Sequence, residues 1–187
     1  VPLTHIVSTK QTPDIDKSVL NIDANIANSL PGDQLIIEAF DKGNSIGEWK
    51  KDVNQPIELN INNPKLWSPS SPHLYDLKIK LVRKGKTIDE VDSYFAMRKI
   101  SSKTINGIKR LLLNNDFVFQ YGPLDQGWWP DGLHTAPTDE ALKFDILKTK
   151  EMGFNMIRKH IKVEPARWYR HCDSIGILVW QDMPSGD

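Results

Sequence analysis

The sequence predicts an N-terminal all-β immunoglobulin-like sandwich over residues 1–100. A partial α/β segment follows over residues 101–187 and corresponds to the first three strands of a (β/α)8, or TIM, barrel. Three observations carry this prediction. The first hundred residues alternate between apolar and polar with period two, as sheets buried on one face do. Turn-forming clusters interrupt that alternation at the spacing of short sandwich strands. From Phe117 the pattern changes to strand, helix, strand, helix, strand, with polar and aromatic residues gathered just after each strand. A barrel builds its active site at that end of its strands.

Taken in order, residues 19–28 place Leu20, Ile22, Ala24 and Ile26 on one face and Asn21, Asp23 and Asn25 on the other. Residues 34–40, 57–61, 75–83 and 87–97 alternate in the same way; Leu77, Ile79 and Leu81 oppose Lys78 and Lys80. The turns between them are Pro31-Gly32-Asp33, Asp41-Lys42-Gly43-Asn44, Asn62-Asn63-Pro64 and Lys84-Gly85-Lys86. The character shifts near residues 100–106. Residues 108–113 and 117–121, joined by Asn114-Asn115-Asp116, read as a hairpin. Thr138 is placed to cap a helix whose first turn holds Asp139 and Glu140, and that helix runs to Met152 before Gly153 stops it. Residues 154–158 form a short apolar strand. Pro165 suits the first position of a second helix carrying Trp168, Cys172 and Ile175, which Gly176 ends. Residues 177–180 are almost wholly apolar, as in a parallel strand buried on both faces.

Hydrophobic content of 39% with 26% charged residues supports a core. Lys and Arg number 24 against 24 Asp and Glu, so no electrostatic footprint for nucleic acid or anionic membrane is present. No apolar run reaches the roughly 18–20 residues that would span a bilayer. The chain opens without a signal-peptide pattern or an initiator Met, which fits an excised segment. Its one cysteine, Cys172, excludes an internal disulfide and a Cys cluster, and leaves the compartment open. A whole barrel needs roughly 250 residues. The expectation is therefore a piece of an enzyme, with a binding face begun and the catalytic half elsewhere.

Three strand ends supply the candidate residues. After the first come Asp125, Gln126, Trp128, Trp129, Asp131 and His134; after the second, Lys159, His160 and Lys162; after the third, Trp180, Gln181 and Asp182. Carboxylates, amides and imidazole mixed with indole faces suit a sugar, whose hydroxyls need fixed hydrogen bonds and whose C–H face stacks on an aromatic ring. Each has a structural reading beside this one. Trp128 and Trp129 either pin a long loop or touch ligand, Asp182 either braces a loop or binds, and Pro130-Asp131-Gly132 is also a plain turn. His171 and Cys172 lie within a helix and read as structural. No metal-ligand spacing, Gly-rich phosphate loop or Gly-x-Ser-x-Gly elbow occurs, so no cofactor is expected.

Five motifs in order then support a family resemblance. Leu66-Trp67-Ser68-Pro69 with Pro72-His73-Leu74-Tyr75 resembles the "LWSP…P.LY.L" signature of glycoside hydrolase family 2. Tyr94-Phe95-Ala96-Met97-Arg98 resembles its "FG(M)R" strand, with Ala96 where Gly is usual. Leu113-Asn114-Asn115-Asp116 resembles the "LNG.P" hairpin leading into the barrel. Gly153-Phe154-Asn155-Met156-Ile157-Arg158-Lys159-His160 resembles "GFN.(I/V)R..H", and Cys172-Asp173 through Trp180-Gln181-Asp182 resembles "CD..G(I/L)LVWQD". The resemblance implies a parent like a β-galactosidase, β-mannosidase or β-glucuronidase that cleaves O-glycosyl bonds of β-glycosides with retention, using two Glu residues that follow the fourth and seventh strands. The acid/base Glu of that family follows an Asn, and no Asn-Glu pair occurs here. Neither catalytic residue is thus assigned, and the chain alone is expected to be inactive. What carries over is substrate binding: His160, then Asp182 with Trp180, then Asp125 and Gln126. Parents of this kind are often secreted or periplasmic.

Two other readings stand beside this one. One is a non-catalytic carbohydrate-binding or adhesive sandwich module, and the other is an unrelated α/β enzyme. Three parallel strands without neighbours would also leave an open edge, from which self-association is expected.

Overall fold

The computed structural model describes residues 3–53 and 55–185. The predicted ranges 1–100 and 101–187 therefore include five positions outside the described residues. The chain divides into two compact units. One takes in the described residues up to Leu66, with Leu74–Lys103 and Leu112–Asn115. The other takes in Trp67–His73, Thr104–Leu111 and the described residues from Asp116 on.

The first unit contains β1 (His5–Asp14), β2 (Val19–Ala27), β3 (Gln34–Asp41), β4 (Asn44–Asp52), β5 (Ile57–Asn60), β6 (Tyr75–Arg83) and β7 (Lys86–Phe95). Two antiparallel sheets result, ordered β1-β2-β5 and β4-β3-β6-β7. The predicted alternation does the work of the fold. Leu20 and Ile22 of β2 meet Leu35, Ile37 and Ala39 of β3 and Leu77, Ile79 and Leu81 of β6 in one buried core. The outward positions pair by charge, as Lys80 does with Glu38 and Lys78 with Glu90, each at 3.3 Å. Two strands that the sequence reading did not name complete the sheets. β1 is one of them. The other, β4, is an edge strand whose side chains are mostly exposed, so it lacks the apolar face that would mark it. At one end of the sandwich, Asp33 is fully buried and accepts from Arg83 Nε at 2.7 Å, Arg83 Nη2 at 2.8 Å and the Leu30 amide at 2.8 Å.

A small sheet of order β10-β9-β8 follows, from β8 (Ile100–Ile105), β9 (Ile108–Leu113) and β10 (Asp116–Phe117). Asn114 and Asn115, both at positive φ, make the predicted tight turn. The second unit then contains β11 (Leu124–Asp125), α1 (Asp139–Glu151), β12 (Met156–Lys159), α2 (Ala166–Ile175) and β13 (Leu178–Gln181). β11, β12 and β13 form a parallel sheet in that order. Leu142 and Ile146 of α1, Trp168 and Cys172 of α2, and Ile157 and Ile177 form the core beneath it.

Three local expectations need correction. The first parallel strand is not 117–121 but β11. The chain lies along β12 from Tyr121, whose carbonyl accepts from Asn155; the carbonyls of Pro123 and Asp125 accept from Arg158 and His160. Pro123 has no N–H to return, so regular pairing begins only at Leu124. Asp125 is thus on the strand and not in the loop after it. β12 starts at Met156 and not at Phe154, because the Phe154 amide turns back to Thr149 while the Asn155 side chain binds Tyr121 and Phe119. Pro165 is extended, with φ −62 and ψ 150, so it precedes α2 instead of opening it.

Candidate functional site

Side-chain alternation along β12 and β13 sorts the candidates onto two faces. Ile157 and Lys159 are buried toward the helices; Arg158 and His160 take the opposite, open face. The register sets Arg158 opposite Trp180 and Lys159 opposite Gln181. Trp180 and Asp182 accordingly join Arg158 and His160.

On the open face, His160 Nδ1 lies 3.3 Å from Asp182 Oδ2. A carboxylate only accepts, so Nδ1 carries the hydrogen and Nε2 is left for a ligand. Arg158 also binds Asp182, through Nε at 3.1 Å and through Nη2 at 3.0 Å. These hydrogen bonds from Arg158, with the one from His160, hold the Asp182 carboxyl below its ordinary range. Trp180 is 44% exposed, and its indole N–H donates to Gln120 Oε1.

On the other face is a buried charge network that the sequence reading did not foresee as a unit. Lys159 is 1% exposed and lies 4.6 Å from the centre of the Trp168 ring. Its Nζ donates to Asp125 Oδ2 at 2.5 Å and lies 2.9 Å from Glu164 Oε1. Lys162 Nζ is 2.9 Å from the same Glu164 oxygen and donates to the Gly127 carbonyl at 2.8 Å. Asp125 Oδ1 accepts the Gly127 amide at 2.7 Å. Gln181 binds Tyr169 of α2 and the Lys162 carbonyl. Gln181 therefore ties the sheet to α2, and Asp125 ties β11 to β12 and to the loop that follows it. Glu164 was missed, and its signal was chemical: Lys159 alternates with the apolar Ile157 on the helix-facing side of β12, and a lysine buried there needs a carboxylate beside it.

Of the five residues expected to bind substrate, His160, Asp182 and Trp180 share a face. Gln126 lies with His160 in the lining of a hollow of about 290 Å³, together with Trp128, His134, Ile161 and Lys162. Asp125 is apart from them. Trp129 pairs with Leu133 across the predicted turn, and Asp131 lies in that exposed turn.

A sandwich followed by parallel strand–helix units gathers charged and aromatic groups at its strand ends, the place where enzymes with parallel α/β sheets build their sites. The profile of Glycosyl hydrolases family 2 matches residues 4–98, more than half of the chain, and the chain belongs to that family. A protein of Formosa agariphila that bears a β-glucuronidase name is 31% identical over 94% of this chain and 17% of its own length. A β-galactosidase of Thermoanaerobacter pseudethanolicus is 29% identical over 74% of this chain and 18% of its own. The solved apo structure of Bacteroides uniformis β-glucuronidase 3 superposes with a TM-score of 0.81 at 23% identity, covering 98% of this chain and 23% of that one. This last likeness concerns the fold. The chain spans about a fifth of the length of the relatives it matches.

Proposed function

We propose that this chain supplies the sandwich domain, residues 1–100, and the opening three strands of a (β/α)8 barrel, residues 101–187, to a glycoside hydrolase acting on β-glycosides with retention. His160, Asp182, Trp180 and Gln126 contribute to its sugar-binding rim, and Asp125 steadies the loop that carries Gln126. One observation carries the reading: His160 and Asp182 meet at 3.3 Å just past the carboxyl ends of adjacent parallel strands. The names of the relatives support a β-linked glycone and divide between glucuronide and galactoside.

In this reading Asp182 orients the imidazole through Nδ1 while Arg158 keeps the carboxylate ionised, so that Nε2 meets a sugar hydroxyl. The indole of Trp180 offers a flat wall beside it. The catalytic pair is proposed to come from other barrel strands. The test is His160→Ala in an active form of the protein that contains this chain. KM for an aryl β-glycoside should rise about tenfold or more, the cost of one hydrogen bond to a charge-coupled group, with thermal stability unchanged. An unaltered catalytic efficiency would remove His160 from the site.

A further inference from the structure

Trp128 is 57% exposed, yet both backbone polar groups of the residue beside it are hydrogen-bonded to side chains. Gly127 sits at φ +65, with its amide tied to Asp125 and its carbonyl tied to Lys162. A Cβ there would lie 2.8 Å from both Glu164 Oε1 and Lys162 Nζ and 3.1 Å from Lys159 Nζ, so only glycine fits between these charges. Both peptide groups next to Trp128 and Gln126 are thus fixed by ion-paired side chains: Lys162, which is nearly buried, and Asp125, which is about one-fifth exposed and paired with the buried Lys159. The Trp128 ring leans on His134, with centroids 4.3 Å apart and planes at 41°. It lines the same hollow of about 290 Å³ that His160 lines. That volume is at the small end of ligand sites, enough for a single ring. An exposed indole needs no explanation by itself. One on a clasped pedestal, backed by a second ring and facing a hollow shared with a candidate sugar contact, is a preorganised stacking surface.

We propose that Trp128 is a specificity-determining residue that stacks on the flat face of a substrate ring bound beside His160. The network Lys159–Asp125–Glu164–Lys162 acts as its positioning device through Gly127. The chemistry recognised is an apolar ring face, supplied either by the C–H face of a second sugar or by an aryl leaving group. The proposal rests on the glycosidase reading above and adds a second contact to it.

Two experiments test it. In an active form containing this chain, Trp128→Ala should raise KM five- to tenfold with kcat nearly unchanged, and Trp128→Phe should restore most of the loss. Gly127→Ala should give the same split by displacing the loop. Running an aryl β-glycoside beside the matching β-linked disaccharide distinguishes the two ring sources: the one with the larger loss is the natural occupant. In the 187-residue chain itself, the Trp128 indole N–H resonance, assigned by its disappearance in Trp128→Ala, should shift on titration with those same compounds. A shift without hydrolysis by any longer form would keep the stacking surface and sink the hydrolase reading. Hydrolysis sensitive to His160→Ala, with a stationary Trp128 signal and unchanged KM in Trp128→Ala, would overturn the stacking proposal and keep the hydrolase.

Discussion

Asp33 shows how much one side chain can carry. It is buried at the sandwich end, and its two oxygens are filled by Arg83 and the Leu30 amide. The hydrogen bonds from Arg83 in the first place, and that from Leu30 in the second, draw its carboxyl down to about 2. An unfolded Asp titrates near 3.9. Because the folded value is the lower one, this contribution to stability is complete above about pH 5 and is lost as pH falls from there through 2. Arg83 keeps 28% of its side chain in water, which moderates the sum to on the order of 1–2 kcal/mol. Asp33→Asn should cost that much at pH 7 and should flatten the acid side of the stability curve. Urea midpoints at pH 7, 4 and 3 measure it; parallel curves for the two proteins would assign the acid sensitivity to other carboxylates. Cys172 makes the complementary case, since burial pushes its thiol up and keeps it unreactive while α2 is folded.

At the scale of elements, α1 and α2 both end in a glycine at positive φ, and their surroundings set the cost of replacing it. Gly153, at φ +86, has nothing within 4 Å of where a Cβ would stand. Gly176, at φ +87, would place that atom 2.5 Å from the carbonyl oxygen of Pro69, in the segment whose Trp67 indole donates to Asp173. Gly153→Ala should therefore cost the left-handed penalty alone, about 1 kcal/mol. Gly176→Ala should cost at least twice that, because backbone must move to relieve the clash. Equal losses in thermal melts would show that the Pro69 segment yields freely. These elements were also the legible ones. Period-two alternation gave the inner strands, and Thr138 gave the start of α1, where its Oγ accepts from Ala141. What alternation could not give was β4, an exposed edge with no buried face, or the start of β11, where Pro123 withholds the amide that a regular ladder needs.

At the scale of the molecule, the placing of the candidate residues at strand ends was legible, and the faces they take only partly. Sequence order put the candidates at strand ends, but a shift of one residue reverses the direction of a side chain in a strand. Placing Asp125 in a loop, and not on β11, hid its turn toward the helices. That reversal bears on catalysis. Retaining hydrolysis needs two carboxyl groups about 5–5.5 Å apart, one protonated at working pH and one unencumbered. Three carboxylates of the rim and its support are already committed. Asp182 is bound by Arg158 and His160 and held in its ionised form. Asp125 is 2.5 Å from Lys159. Glu164 is buried between Lys159 and Lys162, 2.9 Å from each. A proton donor for the leaving oxygen is not among them, and neither is a nucleophile free to attack. The 187 residues alone should therefore release no aryl alcohol from aryl β-galactosides, β-mannosides or β-glucuronides, at any pH from 4 to 8, even where they bind a glycoside. Turnover by the purified chain that disappears in Asp182→Asn would reverse this assignment, making the rim carboxylate a reacting group and not a holder of the imidazole.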